Sequence, residues 1–425
     1  MVIFDNMNNP ELVQTKIKKD FMGRLVKGIN RFIWRFPLYL INTSFDYERI
    51  AFFSPFYSGN AKPIYEGIKK YGYFKKPYWV LLSRREVEKV RKKGVEAYYY
   101  KDWRAFPIFM STPIWVSTHV TDNFPVPKHQ NPLDFIRDVL RDILRIEFPP
   151  TSENMRIKEV QLWHGIGFKG WKKERSREYL IHATLYLLNS DFSKETWIKE
   201  FNIDPNRIKV TGYARHDILI NRSFDTKDIK REIGIPLDAK VILYAPTWEQ
   251  HRKKKSIYYW NDEKLREINA FCEDENVYFV VRAHHMLRTR YKQFEGSRFL
   301  YLPMSKYPDT MKLLAITDVL ITDWSSIAND FIFLNRPTIF VDTPNPFEND
   351  FRLKPEDRAG YILRKTNNII SVLKEALNEP EKFVSQYEKI RQRVLKKVCN
   401  KPDGKSTERC IMEILKLKEE LTKTE

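Results

Sequence analysis

The sequence contains little cysteine. Its three cysteines are scattered among 425 residues, without the close pairs that metal sites use. Neither a disulfide framework nor a zinc site is predicted, and we expect a reduced cytoplasmic protein. We assign no cofactor and no metal ligands, and the sequence leaves metal dependence open. The opening residues, MVIFDNMNNPELVQ, also lack the basic start and apolar core of a signal peptide, which again favours the cytoplasm.

Long apolar runs and several common catalytic motifs are absent as well. No window reaches the about 18 uncharged apolar residues that a membrane-spanning helix needs. The sequence has no CxxC pair, no Walker phosphate-binding loop and no GxSxG turn. Zinc hydrolysis, ATP-driven work and esterase chemistry therefore lose support.

What the sequence has in excess is positive charge. Lysine and arginine number 74 against 55 acidic residues, which leaves a net charge of +19. Such an excess predicts a negative partner: nucleic acid, an anionic membrane surface or a phosphorylated substrate. No nucleic-acid-binding module is recognised, and basic and aromatic residues are interleaved mainly at one terminus, so we expect no nucleic-acid partner.

That terminus is the segment 12–42, which includes KIKKDFMGRLVKGINRFIWRFPLYLI. At helical spacing its apolar residues gather on one side and its bases on the other, and Pro37 ends or kinks the helix. The pattern is compatible with an amphipathic helix docked on the protein itself, but we favour a helix lying on an anionic membrane. We therefore assign residues 1–46 to membrane association.

The rest of the chain alternates apolar runs with helical patterns, in two successive series that join near residues 220–235. This alternation predicts an α/β fold with two Rossmann-like domains and parallel sheets. Ligands of such sheets bind beyond the carboxyl ends of the strands, where most polar motifs of this sequence fall. A second amphipathic segment, at 131–150, is interpreted as a plain surface helix rather than a membrane-facing one.

The motif LITDWSSIANDF places polar residues directly after a buried strand. Asp323 ends the strand, and Ser325 and Ser326 stand where a helix begins. Serines at this position either cap free backbone N–H groups or, together with the helix dipole, form a seat for an anion. The preceding acid favours the second interpretation.

Other strand ends offer further candidates. In VVRAHHML, Arg282 is suited to grip phosphate, and His284 or His285 to donate a proton to a leaving group. Adjacent side chains on an extended chain point to opposite faces, so only one of the two histidines is expected in the cleft. Arg215 in TGYARHDIL and Thr247 in YAPTWEQ are weaker candidates, each equally compatible with a plain loop.

The segment VQLWHGIGFKGW places His164 after an apolar run. Gly165 and Gly167 allow the backbone to turn sharply beside it, and Lys169 adds a cation. A buried histidine in a tight turn is the structural alternative. We favour a neutral imidazole that takes a proton from an attacking hydroxyl, while residues of the second series hold phosphate across a cleft.

Six motifs, in this order, resemble the CDP-glycerol glycerophosphotransferase family, whose members prime or polymerise teichoic acids and related capsule polymers. They are QLWHGIGFK, VTGYARHDIL, ILYAPTW, VVRAHH, DVLITDWSSIANDFIFLNRPTIF and DGKSTER. The resemblance implies a GT-B-like fold with the active site between two Rossmann-type domains. It implies an acceptor domain at 47–225, a CDP-donor domain at 226–385 and C-terminal helices at 386–425 that pack back on the first domain.

The resemblance also implies roles for individual residues. His164 corresponds to the general base and His284 to a phosphate ligand or acid, with Gly165 and Lys169 on the acceptor side. The residues implied in donor or phosphate binding are Arg215, Thr247, Arg282, Asp323, Ser325 and Ser326.

Departures from the family pattern concern the acceptor side and the second histidine. Gly167 and Phe168 stand where proline and leucine are common, so the acceptor is expected to differ. His216 replaces asparagine and Trp324 replaces tyrosine, while RAHHML differs from the usual pattern around the second histidine. The short basic N-terminus, in place of a long extra domain, favours the addition of one or a few units, and a short polymerase is the alternative.

The expected reaction is attack of an acceptor hydroxyl on the β-phosphorus of a CDP-alditol, first of all CDP-glycerol, with release of CMP. The expected acceptor is lipid-linked, at the inner face of the cell membrane. A GT-B glycosyltransferase with a nucleotide-sugar donor is the alternative. The two differ in their product, because only a phosphodiester contains phosphorus.

Overall fold

The computed structural model describes residues 22, 25, 44–118, 157–165, 167–168, 183–247, 260–282, 298–344 and 351–423. Within these ranges the chain forms two parallel β-sheets with helices on both faces. The predicted α/β architecture with two parallel sheets is therefore confirmed. The predicted N-terminal helix at 12–42 lies outside the described residues, apart from residues 22 and 25, and so does the segment 131–150.

The first sheet has the strand order β3-β2-β1-β4-β5-β6-β7. Side chains of β1 alternate between two cores, with Ile50 and Phe52 on one face and Ala51 and Phe53 on the other. Burial on both faces explains why these strands appear as continuous apolar runs. The strands are β1 (Arg49–Phe53), β2 (Lys76–Leu81), β3 (Ala97–Tyr99), β4 (Ile114–Ser117), β5 (Lys158–Gln161), β6 (Leu185–Leu188) and β7 (Ile208–Val210).

The second sheet repeats the plan with the order β10-β9-β8-β11-β12-β13, again parallel throughout. It too is covered by a core on each face. Its strands are β8 (Lys240–Ala245), β9 (Val277–Val281), β10 (Phe299–Tyr301), β11 (Val319–Thr322), β12 (Thr338–Val341) and β13 (Tyr361–Leu363).

Helices connect the strands and close the C-terminus. In chain order the described helices are α1 (Ala61–Tyr71), α2 (Arg84–Arg91), α3 (Phe106–Met110), α4 (Asp191–Phe201), α5 (Asp217–Ile220), α6 (Thr226–Ile233), α7 (Asp262–Asp274), α8 (Thr310–Ala315), α9 (Ile327–Phe331), α10 (Ile369–Asn378), α11 (Pro380–Ser385), α12 (Glu388–Val398) and α13 (Ser406–Lys423). None of the helices in the described ranges is both long and apolar enough to cross a membrane.

Sequence patterns identified the inner strands and missed two outer ones. β3 and β13 each have three residues and lie at the edges of their sheets, and each is only partly buried. β7 and β10 are equally short, but the sequence patterns RIKVTGY and FLYLP identified them, whereas charged residues follow β3 and β13 closely and leave too little apolar alternation to be recognised. The predicted domain limits at residues 46, 225 and 385 stay a prediction.

The final helix, α13, packs against α1 of the first sheet's domain. Its buried side chains Ile411 and Ile414 belong to the first domain's core. The Asp217 carboxylate lies at the N-terminus of this helix and accepts hydrogen bonds from the backbone N–H groups of Ser406 and Thr407, at 3.0 and 2.6 Å. Asp217 thus caps the N-terminus of the final helix.

In both sheets the order of strand addition reverses at a switch point, which lies between β1 and β4 in the first sheet and between β8 and β11 in the second. In open α/β sheets, crevices form beyond the carboxyl ends of the strands that flank such a point. The turns after β5 and β11 both lie at these carboxyl edges, and there the two domains meet.

Candidate active site

The turn after β5 is held in an uncommon backbone conformation. Trp163 has a φ of 54°, in the left-handed region that non-glycine residues seldom adopt. Its N–H donates to Gln161 Oε1 at 2.9 Å, and its carbonyl accepts from Asn60 Nδ2 at 3.0 Å. Both supporting side chains are buried. The conformation of the residue before His164 is therefore fixed from both sides by side chains of its own domain.

His164 itself is exposed, and a hydrogen bond defines the tautomer of its ring. Nδ1 lies 3.3 Å from the carbonyl oxygen of Thr118, which follows β4. A carbonyl oxygen only accepts, so Nδ1 carries the proton, and in the neutral ring Nε2 keeps its lone pair. The imidazole also packs on the buried ring of Trp163, with the ring centroids 4.2 Å apart and the planes tilted by 35°. The arrangement suits a base that acts through Nε2.

Two glycines bring the His164 turn into contact with the second domain. A Cβ added at Gly167 would lie 3.2 Å from Ser326 Cβ. Gly165 has a φ of 147°, and a Cβ there would lie 3.2 Å from Arg215 Nη2 and 3.8 Å from Ser326 Oγ. The missing side chains are what allows this approach. The structure thus brings the turns after β5 and β11 together.

The turn after β11 is organised around the carboxylate of Asp323. Its Oδ1 accepts from the Thr247 N–H at 2.8 Å, from the Thr247 hydroxyl and from the Trp324 N–H at 2.6 Å. Burial raises the pKa of the Asp323 carboxyl, although these hydrogen bonds oppose the shift. Thr247 and Asp323 therefore connect the two strands that flank the second sheet's switch point, and their predicted donor contacts stay a prediction.

Ser325 and Ser326 follow at the start of α9, and both are half-buried. Ser325 Oγ lies 3.5 Å from the Ile327 N–H, which is at most a weak capping contact, and the Ser326 hydroxyl caps no N–H of α9. Capping alone therefore does not account for the serine pair. Because α9 has only five residues, the hydroxyls and nearby N–H groups matter more here than a helix dipole.

Arg215 connects the two domains through Asp330 of α9. Its Nε and Nη2 donate to Asp330 Oδ1 at 3.1 and 2.6 Å, while Nη1 donates to the His164 carbonyl at 3.0 Å. Burial alone would raise the pKa of Asp330, but Arg215 and His216 hold it below its usual value. The contacts of Arg215 within the structure are thus with protein acceptors, and its predicted phosphate contact stays a prediction.

His216 is the third member of this buried group. Its Nε2 lies 2.6 Å from Asp330 Oδ1, so Nε2 donates and Nδ1 is left as a buried acceptor that lacks a hydrogen-bond partner in the described structure. Burial lowers the pKa of His216, against the opposing effect of Asp330. We therefore expect a neutral imidazole in the folded protein at neutral pH.

Arg282, at the end of β9, is held against the segment before α8. Its guanidinium donates to the Tyr307 carbonyl and to the Thr310 hydroxyl, both at 2.8 Å. Burial lowers its pKa to about 10, so the group stays charged at neutral pH. The predicted role of Arg282 in phosphate binding stays a prediction. His284 and His285 lie outside the described residues, so their predicted roles also stay predictions.

Lys169 also lies outside the described residues. Within the described ranges, no three histidine, cysteine or acidic side chains stand together as a set of metal ligands. Sequence reasoning missed three residues that organise the site: Asn60, Gln161 and Asp330. Two signals pointed toward them, since Asn60 lies in the small-residue loop after β1 and Asp330 is an acid inside an otherwise apolar stretch.

Comparison with known proteins identifies the family of this chain. The family model for CDP-Glycerol:Poly(glycerophosphate) glycerophosphotransferase matches residues 36–416. A teichoic acid glycerol-phosphate transferase of Staphylococcus aureus (strain NCTC 8325 / PS 47) is 26% identical over 380 residues, which cover 85% of this chain and 90% of that protein.

The chain is also similar to a longer relative and to a solved structure. A teichoic acid poly(glycerol phosphate) polymerase of Bacillus subtilis (strain 168) is 25% identical over 433 residues, which cover 95% of this chain and 52% of the polymerase, so the chain spans about half of that relative. The structure of the wall teichoic acid polymerase TagF superposes with a TM-score of 0.72 at 20% identity, covering 95% of this chain and 98% of that one. This likeness shows a shared fold. The match over residues 36–416 establishes that the chain belongs to the CDP-glycerol:poly(glycerophosphate) glycerophosphotransferase family.

Proposed function

We propose that this protein transfers glycerol phosphate from CDP-glycerol to a hydroxyl of a lipid-linked acceptor and releases CMP, in the synthesis of a teichoic-acid-like polymer. Family membership supports the reaction class, and the names of the relatives, a glycerol-phosphate transferase and poly(glycerol phosphate) polymerases, support the substrate. The first domain would hold the acceptor and the second the donor.

One observation carries the proposal: the turn with His164 lies against Ser326 at the start of α9. The turn that carries the proposed base and the turn that carries the two serine hydroxyls, from the carboxyl edges of two different sheets, therefore lie next to each other. A transfer between two substrates requires such a meeting point, because the nucleophile and the phosphorus must be held within reach of each other.

His164 would act on the acceptor. Its Nε2 takes the proton of the acceptor hydroxyl as the oxygen forms a bond to the β-phosphorus of the donor. The bond between that phosphorus and the oxygen bridging it to CMP breaks, and CMP leaves with the electron pair. The hydrogen bond from Nδ1 to the Thr118 carbonyl stabilises the cationic ring that forms. General-base help of this kind contributes about 10²–10⁴ in rate.

The second domain would hold the diphosphate. Ser325, Ser326 and the backbone N–H groups at the start of α9 provide donors for phosphate oxygens, and donors already in place stabilise charge that develops on the leaving group. Asp323 and Thr247 keep the two strand ends together. The histidine of the VVRAHH motif would complete the donor side.

Product analysis tests the function. Purified protein is incubated with CDP-glycerol or CDP-ribitol and a lipid-linked acceptor, and CMP and the product mass are measured. We expect CMP and a product heavier by one or more glycerol phosphate units. Failure to release CMP from either donor would refute the proposal, whereas a phosphorus-free product formed from a nucleotide-sugar would indicate a glycosyltransferase.

We further propose that residues 12–42 attach the protein to the inner face of the cell membrane. Support comes from the sequence, which interleaves bases with aromatic and aliphatic residues, and from the overall charge of +19. Co-sedimentation with vesicles of anionic or zwitterionic lipid tests this. Full-length protein should bind anionic vesicles and lose binding in high salt. Unchanged binding after deletion of residues 1–42 would count against the attachment.

A further inference from the structure

The turn that carries His164 is completed by side chains of the other domain. Its first half is held by its own domain, where Gln161 and Asn60 bind the backbone of Trp163 and the Thr118 carbonyl binds the ring of His164. From the His164 carbonyl onward, two groups of described contacts connect the turn to the second domain.

The first group surrounds Phe168. This side chain is fully buried, yet it belongs to the core beneath the second sheet rather than to a core of its own domain. Its ring packs edge to face on Trp324 and Phe340, with centroids 5.8 and 6.3 Å apart. Its carbonyl accepts from the Arg352 N–H at 3.0 Å. Trp324 lies between Asp323 and Ser325, so Phe168 packs directly on the proposed phosphate-binding turn.

The second group is the Asp330 ion pair. Asp330 lies in α9, only four residues after Ser326, and orients the Arg215 guanidinium through two hydrogen bonds to Oδ1. The same guanidinium donates to the His164 carbonyl. The backbone of the histidine is thus connected to α9 through a single side chain that comes from the first domain.

We propose that Phe168 and Asp330 are positioning residues, through which the second domain sets the place of His164 relative to Ser325 and Ser326. Neither residue is proposed to touch a substrate. The inference rests on the proposed function, since it assigns His164 as the base. It predicts that loosening either contact slows the chemical step more than it weakens donor binding, because a displacement of about 1 Å can cost about 10²-fold in rate.

Kinetics of three variants test the proposal. Phe168→Ala and Asp330→Asn should lower kcat at least tenfold, while KM for CDP-glycerol changes less than threefold. Phe168→Leu retains an apolar side chain that fills much of the pocket, so it should recover most of the rate. A variant of Phe168 that raises KM and leaves kcat unchanged would overturn the proposal.

Two control variants separate positioning from stability. Phe271→Ala removes an equally large buried ring from α7, on the opposite face of the second sheet. Lys62→Met breaks another ion pair between the domains, with Asp309 at 2.8 Å, and the described hydrogen bonds and ion pairs of Lys62 do not include the His164 turn. Both should lower the melting temperature and leave kcat within about twofold of the wild type, since neither disturbs the base. Equal loss of kcat in Phe271→Ala and Phe168→Ala would refute a positioning role.

Hydrogen–deuterium exchange tests the same idea without relying on activity. Amides of residues 161–168 should exchange at least tenfold faster in Phe168→Ala and Asp330→Asn than in the wild type or Lys62→Met. Unchanged exchange would refute the positioning role even in an active enzyme. If these amides exchange faster in the variants but the wild-type protein never releases CMP, the structural role of the two contacts is supported and the proposed function is refuted. If Phe168→Ala does not fold, Phe168→Val carries the test.

Discussion

The two turns that meet at the candidate site are supported in different ways. The hydrogen bonds that shape the turn after β11 are made within one domain, because the Asp323 carboxylate accepts from Thr247 and Trp324. The turn after β5 depends on both domains, since Gly167 lies on Ser326 and Phe168 lies in the second domain's core. The comparison suggests that the donor side is formed in advance, whereas the base reaches its place only when the domains pack together.

The largest expected effect comes from removing the base. His164→Ala should lower kcat by about 10²–10⁴, because proton removal then falls to water. CDP-glycerol binding, measured by isothermal titration calorimetry, should stay within a few-fold of the wild type since the donor turn is complete without the histidine. Loss of donor binding in this variant would erase the distinction between the turns.

Breaking the donor turn should affect stability and donor binding together. Asp323→Ala leaves two backbone N–H groups and a buried hydroxyl without their acceptor, so we expect a loss of about 2 kcal/mol or more in unfolding free energy. Donor affinity should fall in the same variant. Denaturant unfolding and calorimetric titration measure the two effects.

Asp318→Ala is the matched control for that variant. Asp318 Oδ2 accepts from the Val241 N–H at 2.7 Å, at the opposite end of the same strand pair. It should lower stability by about 1 kcal/mol and leave CDP-glycerol affinity unchanged. An equal loss of affinity in both variants would mean that donor binding follows general stability rather than the Asp323 turn.

Adding one methyl group at Gly167 tests the contact between the two turns. Gly167→Ala places a Cβ 3.2 Å from Ser326 Cβ, so the turns must separate slightly, at a cost of about 1–3 kcal/mol. We expect kcat to fall about tenfold, because the separation of the turns displaces the base from the acceptor hydroxyl. Gly94→Ala, at a left-handed position in open surroundings, should lower the melting temperature and spare kcat.

The smallest effect concerns pH and the buried His216. Because burial lowers its pKa in the folded state, the unfolded chain binds a proton first as the pH falls below the usual value of about 6.5. The folded protein should then lose up to about 1.4 kcal/mol of stability per pH unit until His216 itself is protonated. Above pH 6.5 this contribution is constant.

His216→Gln keeps a donor toward Asp330 and removes the titration. Its unfolding free energy should therefore fall less steeply than that of the wild type between pH 6.5 and 5.5. Identical pH profiles would show that His216 does not titrate differently in the folded and unfolded states. The comparison must hold ionic strength constant, because Asp330, Arg215 and Asp217 are charged neighbours of the ring.

Much of the fold can be predicted from the sequence alone. Apolar runs of four to six residues predicted the inner strands, and turn residues after β5, β8 and β11 marked the carboxyl edge where ligands bind. These features are local: side-chain period, burial and turn preference act within a few residues. The short edge strands β3 and β13 carried too little of that pattern.

What only the tertiary structure decided is which distant residues complete the site. The predicted phosphate contact of Arg215 stays a prediction, but its partner Asp330, 115 residues away along the chain, was not predicted. Phe168 was noted only as a departure from a pattern, yet it lies in the core of the other domain. A local pattern specifies that a side chain is apolar or charged, whereas its partner is chosen by how two sheets pack, and that choice leaves no periodic signal near either residue.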